Sequence, residues 1–447
     1  MVAAMAEDER HELAGALSAE STGRDGVDPA LRRVLDLLDA RGIAWALLRG
    51  VEELRAATGD IDFLVDPAAE AAVGDIVRSA GFARMGARGH GSHRFFIRYN
   101  QSDDRWLTLD IVTDVTFGEH QEFRAGVAPA LLARRRRTGP GVVLEDGDAF
   151  WHLLLHHLLR DGDVPERRRP ILRARAADLQ DGGPLAALAE RLRPGSASRL
   201  PVAVVEEDWP TVVELGRGIR RAWSRRQAWA PVRASAMTRI ARQLPLPSAE
   251  RGLSLAVLGP DGAGKTTLAN ALVASVPIPA VSMYLGIWQQ SPLEERLRKV
   301  VGARLLLRLA SLLVKAARSA YHRRLGRLVV LDRYTTDADL PASDLDLKAR
   351  ASARLARRTN VRPDLMLLLD APAEVMRARK PEHELAELQQ LREAYLGMVA
   401  RFPQMVVLDA AQPVDTVRRQ AAAVLWEALA WRTRPSGEPS PSRVLSS

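Results

Sequence analysis

The chain contains no cysteine. That absence excludes disulfide scaffolds, thiolate-ligated zinc, iron–sulfur clusters and thiol nucleophiles, and it suits a reducing compartment without requiring one. Lysine is nearly as scarce: five of the 64 basic residues are Lys (Lys265, Lys299, Lys315, Lys348, Lys380) and the rest are Arg. With basicity carried by an Arg- and Ala-heavy composition, the net charge of +9 is weak evidence for a phosphate-backbone partner, and nucleic acid is not expected. Long apolar runs are also missing. Nothing approaches the roughly 20 consecutive apolar residues that span a bilayer. The first ten residues are acidic and lack the plan of a signal peptide, so a cytoplasmic location is expected. The most membrane-like stretch, Leu293 to Leu328, interleaves Leu305, Leu309 and Leu313 with Arg304, Arg308 and Lys315, the pattern of a helix packed on its own domain with its cations in water.

What is present is ordinary globular material: 447 residues, 47% hydrophobic and 27% charged, enough for two or three domains. Residues 1–28 and 434–447 are small, polar and charged, a flexible start and a disordered tail by composition. A first domain is expected over 29–245. It opens with a helix at Pro29–Arg41, strands at Ile43–Leu48, Asp60–Val65 and Trp106–Val112, and a helix over Pro67–Ala80, then turns helical from about Asp146 to Leu244. The run Leu244-Pro245-Leu246-Pro247-Ser248 reads as a linker, because proline holds itself and its predecessor extended. A second domain is expected over 251–433. There the short apolar runs Ser254–Leu258, Ala280–Tyr284, Leu328–Leu331, Leu365–Leu369 and Met405–Leu408 alternate with helical segments, the mark of a doubly wound parallel sheet. Both domains are thus read as α/β.

The chemistry concentrates at Gly259-Pro260-Asp261-Gly262-Ala263-Gly264-Lys265-Thr266-Thr267. This run follows a predicted strand, precedes a helical run from Leu268 to Ser275, and satisfies G-x-x-x-x-G-K-[ST]. Glycines let backbone amides turn onto a phosphate, the lysine neutralises its oxygens, and Thr266 supplies a hydroxyl to magnesium. Thr267 reads equally as satisfying helical amides, and Asp261 as a turn former before Gly262. Together with the strand ending Leu331-Asp332-Arg333-Tyr334 and the run Pro363-Asp364-Leu365 to Leu369-Asp370-Ala371-Pro372, the segment resembles thymidylate kinase and its nucleoside-phosphate-kinase relatives over residues 251–431. The resemblance implies that ATP and Mg²⁺ are cofactors and that Asp332 helps organise the metal. It places Arg333 against the acceptor phosphate, Asp261 near the acceptor's sugar hydroxyl, and a basic lid at Arg377, Arg379 and Lys380. Those three also read as a charged helix face. The chain departs from the family where the base is read: Tyr284-Leu285-Gly286-Ile287-Trp288-Gln289-Gln290 stands in place of Arg-Glu-Pro-Gly-Gly-Thr, and Tyr334 to Asp339 lacks the Tyr-Gln pair.

In the first domain, Gly59-Asp60-Ile61-Asp62-Phe63 puts Asp60 and Asp62 on one strand face and Ile61 and Phe63 on the other. Asp110 repeats the pattern in a later strand, and three such carboxylates suit a two-metal site. With Leu48-Arg49-Gly50 upstream, residues 29–180 resemble the nucleotidyltransferase superfamily, although Gly50-Val51 replaces the usual Gly-Gly or Gly-Ser turn. An acidic sheet edge is the plainer alternative. His152, His156 and His157 lack an intervening glutamate base and read as ordinary interfacial histidines, and Arg134 to Arg137 as a solvated turn. The combined expectation is an ATP- and Mg²⁺-dependent kinase acting on a small-molecule acceptor other than dTMP, fused to a nucleotidyltransferase-like domain and compatible with a homodimer. A nucleotidyltransferase supported by the P-loop domain, and an ATP-binding regulator without transfer, stay open as alternatives.

Overall fold

The computed structural model describes residues 26–56, 59–86, 91–226, 236–238, 240–241, 243–246, 251–284, 303–334 and 362–433. The expected tails, the first part of the helix from Leu293, and most of both base-reading segments lie outside these residues. The chain divides into two units, one of Met1–Arg98 with Leu107–Gln243 and one of Tyr99–Trp106 with Leu244–Ser447.

The first unit begins at the helix Pro29–Ala40, where the Ala30 amide donates to Asp28 Oδ1 at 2.9 Å and Pro29 occupies a position whose N–H would be idle. Leu31, Val34, Leu35 and Leu38 then fall on one buried face. Nine strands follow among the described residues: β1 (Trp45–Leu47), β2 (Asp60–Val65), β3 (Ala83–Arg84), β4 (His93–Asn100), β5 (Arg105–Val112), the small hairpin β6 (Thr116–Phe117) and β7 (Phe123–Arg124), β8 (Arg136–Thr138) and β9 (Gly141–Val143). Seven form one sheet in the order β3-β4-β5-β2-β1-β9-β8. Strands β2 and β5 are parallel, and their register sets Asp62 directly beside Asp110. Several features differ from the sequence reading: Arg134 to Arg137, read as a solvated turn, ends the helix Ala128–Arg134 and enters β8, with Arg134 Nε donating to the buried Asp148 Oδ2 at 2.9 Å, and two more bear on the local fold. The Pro67–Ala80 helix starts as a 3₁₀ turn over Pro67–Ala69 before the α-helix Glu70–Ser79. Strand β4 was not anticipated, because its polar and apolar residues in His93-Arg94-Phe95-Phe96-Ile97-Arg98 do not alternate, and a pattern set by neighbours rather than by water has no period to read. From Asp146 onward the unit is helical, with helices Asp146–Arg160, Arg169–Ala177, Gly183–Leu192, Ser196–Val205 and Trp209–Arg226. Trp151, Leu154, Leu158, Leu185 and Leu215 bury into the same apolar core as the sheet, and His152 lies in it at 8% exposure.

The second unit is a five-stranded sheet, β11-β12-β10-β13-β14, from β10 (Ser254–Leu258), β11 (Ala280–Tyr284), β12 (Leu328–Asp332), β13 (Leu365–Asp370) and β14 (Met405–Asp409). Every pairing is parallel. Strand β10 is buried at all five residues, as a central strand covered on both faces must be. Helices Lys265–Ser275 and Val414–Thr433 pack against one another. The loop after β10, Asp332 of β12 and Asp370 of β13 all fall at the carboxyl ends of the strands, where open α/β sheets form their ligand crevice.

Candidate functional site

The loop after β10 has the backbone its glycines permit. Gly259, Gly262 and Gly264 have φ of +139°, +83° and +93°, conformations that cost residues with a Cβ. A Cβ on Gly262 would lie 2.4 Å from the Met376 carbonyl oxygen, and one on Gly259 2.6 Å from that of Leu369. Lys265 opens the following helix and is 6% exposed. Its Nζ donates to the carbonyls of Gly259 at 2.8 Å and Pro260 at 2.7 Å, and to Asp261 Oδ1 at 3.2 Å. The ammonium is thus folded into its own loop, ringed by oxygens, at the motif position from which a phosphate-binding lysine reaches its ligand.

Beside it, the exposed Thr266 hydroxyl donates to Asp332 Oδ2 at 2.7 Å. The other oxygen, Asp332 Oδ1, is buried and has no hydrogen-bond partner among the described residues. A buried carboxylate oxygen left without a donor is costly, and a hydroxyl plus a free carboxylate oxygen is a hard-cation ligand set. The residues therefore fit Mg²⁺.

Asp261 gathers the basic side chains of the site. Arg333 is ion-paired to it, Lys380 Nζ stands 3.8 Å away and His383 Nε2 also 3.8 Å. Burial pushes the Asp261 carboxyl up, but Lys265, Arg333 and Lys380 outweigh it and hold the pKa down at about 2. Arg333 is itself in the left-handed region with φ of +70°. Such strain in a non-glycine residue persists only where its surroundings enforce it, and here its amide donates to Val257 O at 3.1 Å.

The expected basic lid is divided. Arg377, Arg379 and Lys380 sit at the end of the helix Ala373–Arg379, and residues two apart on a helix face opposite ways. Arg377 pairs outward with Glu384 at 3.3 Å and is not brought to the loop. Arg379 donates to Ala410 O at 2.8 Å. It lines a cavity of about 200 Å³ with Ala263, Gly264, Thr267, Leu369 and Gln412. Lys380 turns to Asp261. Sequence reasoning passed over His383 and Glu382, which with Asp261 place three ligand-type atoms within 4.8 Å of one another. It also quoted Asp370 without its partner, Arg392, whose Nε and Nη2 bind the two carboxylate oxygens at 2.6 and 2.8 Å.

In the first unit, the alternation of β2 and the register with β5 set Asp60, Asp62 and Asp110 on one face. Their oxygens nonetheless do not gather as a metal cluster would: among the described residues, Asp261, Glu382 and His383 are the one group of three within 4.8 Å. Basic side chains intervene. Arg49 Nη2 lies 2.7 Å from Asp62 Oδ2, and His93 Nδ1 lies 2.6 Å from Asp110 Oδ2. Asp110 Oδ1 is buried without a hydrogen-bond partner. Burial first, then Asp110 and Asp60, raises the Asp62 pKa to about 6 against the pull of Arg49. Burial, with Asp110 next, also raises that of Asp60. Glu53, not singled out from the sequence, joins this group: burial and then Asp62 lift it to about 7 although Arg49 opposes them. His152 and His156 are driven to about 3 and 4, chiefly by burial, as befits neutral core residues.

A family model described as thymidylate kinase matches residues 257–421. The thymidylate kinase of Xanthomonas oryzae pv. oryzae (strain PXO99A) is 34% identical over 214 residues, covering 42% of this chain and 89% of that protein. That of Xanthomonas campestris pv. campestris (strain B100) is 36% identical over 203 residues, covering 41% and 87%. A solved deoxyadenosine kinase from M. mycoides aligns at 13% identity and a TM-score of 0.29, covering 39% of this chain and 98% of that one, a likeness too low to bear on the fold. The chain belongs to the thymidylate kinase family, and residues 257–421 carry that membership.

Proposed function

We propose that the protein is an ATP- and Mg²⁺-dependent phosphotransferase acting in the cytoplasm on a small-molecule acceptor other than dTMP. One observation carries the reading: the buried Lys265 ammonium is held within the glycine loop, directly beside a Thr266–Asp332 pair with one carboxylate oxygen to spare. When bound, Mg²⁺ would offset charge on the phosphate oxygens. Lys265 would exchange the Gly259 and Pro260 carbonyls for phosphate oxygens, and Thr266 with Asp332 would hold the metal. The cavity lined by Thr267, Arg379 and Gln412 would take the rest of the donor nucleotide. Arg333 would bind the acceptor's anionic group while Asp261 keeps its guanidinium in place. The departures at 284–290 and 334–339 support an acceptor other than dTMP, since the residue types that read thymine are missing there. The test is phosphoryl transfer from γ-labelled ATP into a metabolite extract. We expect a labelled product other than dTDP that Lys265→Ala abolishes; selective labelling of dTMP, or turnover unchanged in the variant, would refute the reading.

For the first unit, the in-register Asp62 and Asp110 support a nucleotidyltransferase-like arrangement, with Asp60 as the third carboxylate. Metal binding there requires Arg49 to leave Asp62. Pyrophosphate release from α-labelled ATP that is lost in Asp62→Asn would support transfer, and its absence in the wild type would oppose it.

A further inference from the structure

Between Glu214 and Glu250 the chain carries eight Arg and no Asp or Glu. Five of these arginines fall on the helix Trp209–Arg226, whose buried face is Val212, Leu215, Gly216, Ile219 and Trp223. Arg217, Arg221 and Arg225, spaced by four, therefore form a row on the opposite face with Arg220 beside them, and all four are exposed. None of them makes a hydrogen bond or ion pair among the described residues, and the preceding carboxylate, Glu214, is turned to Arg193 at 3.4 Å. Composition alone does not account for this. In the same unit the exposed Arg136, Arg137 and Arg173 each have a carboxylate partner, Asp146, Asp39 and Glu207. Arg225 and Arg226 complement the helix dipole in its last turn, but Arg217, Arg220 and Arg221 lie too far back for that.

Exposed apolar side chains follow in the same acid-free stretch. In the helical turns described at 236–238 and 240–241, Met237 is 67% and Ile240 57% exposed, and their spacing of three sets them on one side. Arg239 and Arg242 flank Ile240 in the sequence. Guanidinium groups without internal partners call for external anions, and exposed aliphatic side chains call for a medium other than water. A nucleic acid offers phosphates but no hydrocarbon for Met237 and Ile240. An anionic lipid leaflet offers both, headgroup phosphates and the edge of the acyl layer. We infer that the helix face of Arg217, Arg220, Arg221 and Arg225, together with Met237 and Ile240, docks on an anionic phospholipid surface. The contact is peripheral, since no described helix is long and apolar enough to cross a membrane. The inference rests on neither the kinase nor the nucleotidyltransferase reading.

Co-sedimentation of the full-length chain with lipid vesicles tests this. Vesicles of equal parts phosphatidylcholine and phosphatidylglycerol should carry the protein down, and pure phosphatidylcholine should not. The triple variant Arg217→Gln, Arg220→Gln, Arg221→Gln should weaken partition at least tenfold, and the double variant Met237→Ser, Ile240→Ser at least threefold. A charge-matched triple variant, Arg136→Gln, Arg137→Gln, Arg173→Gln, removes as much charge from paired positions and should stay within twofold of wild type. Melting curves verify that each variant folds; if the first triple variant does not, the double variant decides. Sedimentation with neither vesicle, or equally with both, overturns the inference. Equal losses in the two triple variants overturn it as well, because net charge alone would then explain the binding. Binding of a duplex RNA that needs the arginine row but not Met237 and Ile240, without partition onto vesicles, assigns the face to nucleic acid instead.

Discussion

Asp261 shows how much a single carboxylate can organise. Its two oxygens meet Lys265, Arg333 and Lys380, and the pKa held at about 2 is a statement about stability. A carboxyl whose folded pKa lies below its unfolded value stabilises the fold above the unfolded pKa and loses that contribution as pH falls through the folded one. The window here runs from the ordinary value of 3.8 down to about 2. At about 1.4 kcal/mol per unit, the contribution is on the order of 2 kcal/mol. Asp261→Asn should therefore lower unfolding free energy by about 2 kcal/mol at neutral pH, with the difference from wild type shrinking below pH 3.8; denaturant titrations across pH measure this. Gly262 makes the complementary case. Gly262→Ala must combine a φ of +83° with a 2.4 Å approach to a main-chain oxygen. It should cost about 1–3 kcal/mol and weaken ATP binding, measured by melting and by nucleotide titration.

At the level of elements, β2 and β5 hold carboxylates that the fold places together against their own repulsion. Asp62 at about 6 and Glu53 at about 7 are raised, so the sign is opposite to that of Asp261. In the interval between the unfolded values near 4 and these folded values, the native state binds more protons than the unfolded chain, and stability falls as pH rises. Melting temperature should accordingly drop between about pH 4 and pH 7, and Asp62→Asn or Glu53→Gln should flatten that drop. A melting curve equally steep in both variants would show that these groups are not its source. The alternation of Asp60 and Asp62 was legible from a period of two, because successive side chains of a strand point to opposite faces. The salt link from Arg49 to Asp62 was not, since it joins a turn to a strand through space.

The whole chain joins a phosphate-loop unit to a carboxylate-bearing one, and if their chemistries are separate their variants should be too. Lys265→Ala should remove transfer of the γ-phosphoryl group while Asp62→Asn leaves it within about twofold, assayed on one acceptor; joint loss in both would mean a shared site. By itself the sequence determined the parallel sheet of the second unit, and the limits of β10 follow because a central strand buried on both faces must be a continuous apolar run, while the edge strand β11 is only partly buried. It also determined the loop and Lys265, since spacing along one strand–loop–helix is a local property. Tertiary structure alone decided that Arg377, Arg379 and Lys380 point three ways, that Asp261 rather than Asp332 collects the cations, and that Arg49 and His93 occupy the carboxylates of the first unit. Each of these depends on which side chains from distant segments meet in a partly desolvated space. Charge pairing there is set by distance and burial, and neither quantity is written in the order of residues along the chain.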